Sequence, residues 1–247
     1  MPSLRHALPA LPLSAMLFTC CAVAAHAGPV DCEQNKVALA RVVGKEAQVN
    51  FIAGPSKRMS ACPSAESACR LKAYVIPGDE VLVDATDAPF VCTFFKSKGG
   101  TETRGWLPRA AVQIVPPQPA PARQWEGKWR RDREARIVIT SQQDDVQVSG
   151  DAIWGSHDPQ RVKRGAIHVG ELNGKGRPQG QELAIGYDPD RSAFPSAKDA
   201  APEDCAAKLE LYGRYLVVED NRGCGGLNVS FTGIYVRVKS LKPLGGD

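Results

Sequence analysis

The sequence predicts an all-β protein made of two small antiparallel modules stapled by disulfides. Short runs rich in β-branched and aromatic residues recur along it, bounded by Gly, Pro and Asp. The stretch Pro116-Pro117-Gln118-Pro119-Ala120-Pro121-Ala122 divides those runs into two groups. Behind an apolar leader the chain keeps six cysteines, an even number suited to a disulfide framework. Composition agrees: 43% hydrophobic content is too high for a disordered chain, and the 23 glycines have no collagen period. The formal net charge of +4 comes from 31 basic and 27 acidic residues with no dense Lys/Arg block. Spread over both modules, it gives no nucleic-acid-binding signature and selects no partner.

Residues 1–27 read as a secretory signal. Arg5 and His6 make a weakly basic start, residues 8–25 are apolar, and Ala25-His26-Ala27 places small residues where the peptidase needs them. A membrane anchor competes with this reading, but Pro9 and Pro12 shorten the apolar run. A lipoprotein signal competes through Cys20 and Cys21, but Phe18-Thr19 departs from the small residues such signals carry before the cysteine. The mature chain then begins at Gly28 in the periplasm and has no transmembrane helix, since no other segment is long and apolar enough.

The first module, 28–115, is expected to hold strands near 37–43, 47–52, 71–76, 81–85, 90–96 and 105–108. Pro77-Gly78-Asp79 is a tight turn. Pro77-Gly78-Asp79-Glu80-Val81-Leu82-Val83, Phe90-Val91-Cys92 and Arg104-Gly105-Trp106-Leu107-Pro108 together resemble the bacterial SH3-like family over residues 70–115. That resemblance implies a small barrel with a groove for extended peptides, and Tyr74, Phe94, Phe95 and Trp106 are its candidate binding aromatics. Core packing is the competing reading, strongest for Trp106. The stretch from Cys32 to Cys69 departs from the family pattern and reads as an added hairpin and disulfide loop. Cys62 and Cys69 enclose a small polar loop and suit a local bridge, which leaves Cys32 to pair with Cys92.

Residues 116–123 read as a semi-rigid polyproline spacer. The second module, 124–240 before a short tail at 241–247, opens with Trp125-Glu126-Gly127-Lys128-Trp129. Runs at 136–140, 146–149, 152–154, 165–172, 182–187, 208–212, 215–219 and 228–238 follow. Eight or nine short strands at this spacing predict an up-and-down antiparallel barrel. Gly213-Arg214 forms a two-residue hairpin turn of type II′. With that turn Cys205 falls opposite Arg222, two residues from Cys224. A bulge at Gly223 or a loop over 221–223 then joins the two cysteines. Gly127-Lys128-Trp129 with Arg237 resembles the calycin-like barrels, in which an Arg of the last strand covers the Trp of the first. The ending, 220–237, is similar to that of exported bacterial proteins near the lysozyme-inhibitor-like group.

The inventory for catalysis is poor, and the chain reads as a non-enzyme. All six mature cysteines suit bridges, no G-x-S-x-G occurs, and Ser156-His157-Asp158 are adjacent in sequence rather than brought together by a fold. Zinc competes with disulfides for the cysteines, but C-x-x-C is missing and only His157 and His168 remain in the mature chain. Asp144-Asp145 and Asp188-Pro189-Asp190 lack the ligand spacing of a calcium loop, so no metal or cofactor is expected. Binding is what remains. Besides the aromatic groove, the long loop 188–204 offers Asp188, Asp190, Arg191 and Phe194 to a partner, against the plain reading of a tolerated insertion. The expected function is an exported binding protein: an inhibitor or immunity protein against a cell-wall-degrading enzyme or toxin. A peptidoglycan-associated scaffold acting through the SH3-like groove and a small-ligand carrier using the barrel interior are the alternatives.

Overall fold

The computed structural model describes residues 32, 37–56, 59–84, 88–97, 101–187, 201 and 204–245. The export signal read over 1–27 lies outside them. Strands dominate, and the burial of their side chains shows what each face meets.

In the first sheet the strands are β1 (Val37–Val42), β2 (Val49–Ile52), β3 (Arg70–Val75), β4 (Glu80–Asp84), β5 (Phe90–Lys96), β6 (Glu102–Pro108) and β7 (Val112–Ile114). They pair in the order β3-β2-β6-β5-β4-β1-β7. Ala40, Val42, Phe51, Val75, Val81, Val83, Val91 and Leu107 fill the space it encloses. Gly78 takes φ +94° in the Pro77–Asp79 turn, a conformation that an L side chain rarely adopts. That turn is tied to the end of β1 by two backbone bonds of 2.9 Å, Gly78 N–H to the Val42 carbonyl and Val42 N–H to the Asp79 carbonyl.

The second sheet runs through β8 (Gly127–Arg130), β9 (Ala135–Gln142), β10 (Asp145–Trp154), β11 (His168–Gly176), β12 (Glu182–Tyr187), β13 (Cys205–Tyr212), β14 (Tyr215–Asp220) and β15 (Gly233–Val238). Every neighbour pairs antiparallel, and β15 returns to β8 with Arg237 opposite Trp129. The result is a nearly closed eight-stranded barrel whose only unladdered seam lies between β11 and β12. Glycine makes that seam close: a Cβ on Gly174 would fall 2.6 Å from the Ile185 Cβ. The runs read as separate strands at 146–149 and 152–154 are one strand. Gly150 between them is an inward position where a Cβ would meet the Phe231 ring at 3.0 Å, so the glycine marks tight packing rather than a break. Trp129, Ile137, Leu172, Leu209, Leu216 and Tyr235 are fully buried or nearly so in one continuous core, and the short helix α1 (Ala122–Trp125) adds Trp125 to it.

Strands β14 and β15 are apolar on both faces. Leu216, Val218 and Tyr235 belong to the barrel core, while Tyr215, Ile234 and Val236 pack with Leu39, Leu82 and Phe94 of the first sheet. The two sheets therefore share an apolar seam. The proline segment is docked rather than free: the Val115 N–H bonds the Leu39 carbonyl at 2.8 Å, and the Ala120 N–H bonds the Gly180 carbonyl at 2.9 Å. The indole N–H of Trp125 reaches the Ala120 carbonyl at 3.0 Å.

Three disulfides join Cys32–Cys92, Cys62–Cys69 and Cys205–Cys224. The hairpin register holds, with Tyr212 opposite Tyr215 and Ala207 opposite Asp220. Only Gly213 of the two turn residues has φ above zero, as a type II′ turn requires. Of the two ways of reaching Cys224, the loop is the one used, with Arg222 at φ +64°. Among the described residues no helix is long and apolar enough to cross a membrane. The bridges fit an oxidising compartment outside the cytoplasm.

Candidate functional site

The four aromatics expected in a peptide groove are dispersed. Phe94 is fully buried in the seam between the sheets, its ring edge-on to Tyr215 with centroids 5.8 Å apart. Phe95 packs against the core of the first sheet. Trp106 is 8% exposed and packs with Ile52 and the Cys32–Cys92 and Cys62–Cys69 bridges. Phe94 and Trp106 are buried because their side chains meet a further layer, the second sheet for Phe94 and the disulfide cluster for Trp106, and Phe95 is partly buried. Only Tyr74, 52% exposed, is open to solvent. Asp188, Asp190, Arg191 and Phe194 lie outside the described residues.

Tyr74 belongs to a surface that the sequence reading did not assemble. Strand β3 is an edge of its sheet, and Arg70 to Tyr74 are all exposed. Its pairing with β2 slips between Asn50 and Ile52, so the middle of β3 bulges away from the ladder. The Asn50 side-chain amide partly compensates by donating 3.0 Å to the Leu71 carbonyl. Met59, Leu71, Tyr74 and Ile76 are four of the seven large hydrophobics exposed among the described residues, and all fall within 59–76. The segment is anchored at both ends. Upstream, the Cys62–Cys69 bridge fixes the loop and the Ala53 N–H bonds the Cys69 carbonyl at 2.8 Å. Downstream, the Asp79 carboxylate accepts from the Ile76 N–H at 3.0 Å. Exposed apolar side chains on an anchored edge strand suit the recognition of another chain.

The other polar groups singled out in the sequence support structure. Ser156 donates to the Glu134 carboxylate at 3.3 Å and His157 Nε2 sits 3.7 Å from the same carboxylate, so both turn to Glu134 rather than to each other. His168 meets the Leu227 carbonyl through Nδ1 and lies against Trp154, which also carries the Arg161 guanidinium 4.4 Å from its ring centroid. Gly127, Trp129 and Arg237 do come together. The Arg237 guanidinium lies 4.6 Å from the Trp129 ring centroid and donates to the Gln124 carbonyl. A Cβ on Gly127 would come within 3.3 Å of the arginine stem.

Asp220 escaped the sequence reading. Its Oδ1 accepts from the Ser230 hydroxyl at 2.7 Å, the Phe231 N–H at 3.1 Å, the Thr232 N–H at 2.8 Å and the Thr232 hydroxyl. Its Oδ2 accepts from the Arg222 N–H at 3.0 Å. Burial opposes ionisation, but these bonds outweigh it and hold the carboxyl below its ordinary range. The run Ser230-Phe231-Thr232 was the available signal: two hydroxyls flanking a buried aromatic call for an acceptor. Among the described residues no group of three His, Cys, Asp or Glu side chains is placed to hold a metal ion.

Comparison of the chain with protein-family models, with curated proteins and with solved structures finds no match in any of the three.

Proposed function

We propose that the protein is an exported, non-catalytic binding protein of the periplasm. In this reading it acts as an inhibitor or immunity protein toward a cell-wall-degrading enzyme or toxin, and it meets that partner through β3. The observation that carries the reading is the exposure of Leu71 and Tyr74 on an anchored edge strand, with exposed Ile76 just past its end. Tyr with aliphatic neighbours is the composition of interface cores, and anchoring lowers the entropy lost on docking. Arg70 and Lys72 interrupt the apolar run and disfavour pairing between two copies of the edge, which points to a different chain as partner. The resemblance of the barrel to exported proteins near the lysozyme-inhibitor-like group supplies the partner class. The fully buried interior of the barrel gives no support to a carrier role, and the burial of Phe94 and Trp106 gives none to a wall scaffold acting through an aromatic groove.

The test is titration of the purified oxidised protein into assays of muralytic enzymes and exported toxins. The expected result is inhibition saturating near one equivalent and abolished by Tyr74→Asp. Failure of every enzyme to respond, or inhibition unaffected by Tyr74→Asp, would reject it.

A further inference from the structure

Basic side chains from both sheets converge on one cleft. A cleft of about 380 Å³ opens where Lys96 of β5 and Glu102 of β6 meet the turn between β8 and β9. Lys96, Arg130, Arg131, Arg133, Arg136 and Lys242 line it, against two carboxylates, Glu102 and Asp132.

The positions of these cations are set by the protein. Lys96 is only 6% exposed; its Nζ donates to the Arg131 carbonyl at 2.9 Å, while Glu102 stands off at 4.0 Å. Arg131 is held by Asp132 at 2.8 Å and donates to the Ser230 and Thr232 carbonyls at 2.7 and 2.9 Å. Arg136 is held by Asp151 at 3.0 Å. Arg130 is half-buried and makes no ion pair among the described residues. Burial lowers the pKa of Lys96; Glu102 opposes that lowering and Arg130 adds to it. A bound anion would relieve both effects.

We propose that this cleft binds a phosphate group. Lys96, whose carboxylate partner stands 4.0 Å away, and Arg130, without an ion pair among the described residues, together call for a ligand with more than one negative charge, and a phosphate monoester carries close to two near neutral pH. Guanidinium groups match its oxygens in bidentate geometry, and a fixed, desolvated ammonium supplies a point charge beside them. The cleft exceeds the size of a bare phosphate, which leaves space for the molecule that bears it. The site is separate from β3 and does not depend on what docks there.

Calorimetric titration of the full mature protein with pyrophosphate tests this, in about 0.15 M salt, where exposed charges are screened beyond about 8 Å. The expected result is saturable binding at one site, weakened about tenfold by Arg130→Gln through loss of one charge-assisted contact. Lys175→Gln, on β11 and outside the cleft, should leave it unchanged. Amide shifts on adding pyrophosphate to the unaltered protein should cluster at 96, 130–133 and 242, which tests the site without any substitution. No saturable binding, equal affinity for citrate, equal loss in both variants, or shifts scattered over the surface would overturn the proposal.

Discussion

The Tyr215 hydroxyl of β14 donates a 2.8 Å hydrogen bond to the Glu80 carbonyl of β4, across the seam between the two sheets. The ring itself is fully buried against Phe94, so one side chain joins the sheets by packing and by a polar contact. Tyr215→Phe keeps the packing and strands a carbonyl, which should cost about 1–3 kcal/mol in urea unfolding. Because the seam is shared, fluorescence and far-UV dichroism should report one transition. Burial pushes the Tyr215 phenol up to about 12, with smaller opposing effects from Arg214 and the backbone of Lys96. The folded state therefore keeps its proton where the unfolded chain begins to lose it. Stability from this group is complete below about pH 10 and should decline between about 10 and 12, a decline that Tyr215→Phe removes.

Asp220 fastens the loop that carries the Cys205–Cys224 bridge. Asp220→Ala removes the acceptor for donors from Arg222, Ser230, Phe231 and Thr232, and should destabilise by about 2–4 kcal/mol. The depressed folded pKa sets the sign of the pH effect. Its stabilisation is full above the ordinary aspartate value of about 4 and is lost as pH falls through the lower folded value. Acid unfolding of the unaltered protein and of Asp220→Asn should differ above that range and converge below it.

The seam between β11 and β12 depends on a missing side chain. Gly174→Ala would place a Cβ 2.6 Å from that of Ile185, with no flexible tip to yield. Overpacking of this kind should cost about 1–3 kcal/mol, and amide exchange should quicken in β11 and β12 ahead of the other barrel strands. Gly165→Ala serves as a control for a different glycine cost: its φ of +64° strains the backbone although nothing lies within 4 Å.

Much of this architecture could be read from local pattern. Gly213-Arg214 set a hairpin register that brought Cys205 near Cys224, and short β-branched runs marked most strands. Gly127, Trp129 and Arg237, far apart in sequence, come together in the barrel. Gly150 misled because a glycine that breaks a strand and one that admits a neighbour's ring look alike in sequence. The docked sheets leave a trace in the sequence: Tyr215-Leu216-Val217-Val218 and Ile234-Tyr235-Val236 are continuous apolar runs, the mark of strands covered on both faces. The same burial removed Phe94 from any groove. The exposure of β3 was not legible, because it arises from its edge position and bulge rather than from its own residues.

The most direct measurement places a photo-crosslinking amino acid at position 74 of the exported protein in living cells. Position 162 on the helix Pro159–Lys163, which is also exposed, serves as control. The expected result is one dominant crosslinked protein at 74 and none at 162, with that protein proving to be a wall-degrading enzyme or toxin whose activity the purified chain suppresses. No adduct at 74, or the same adduct at both positions, would contradict it.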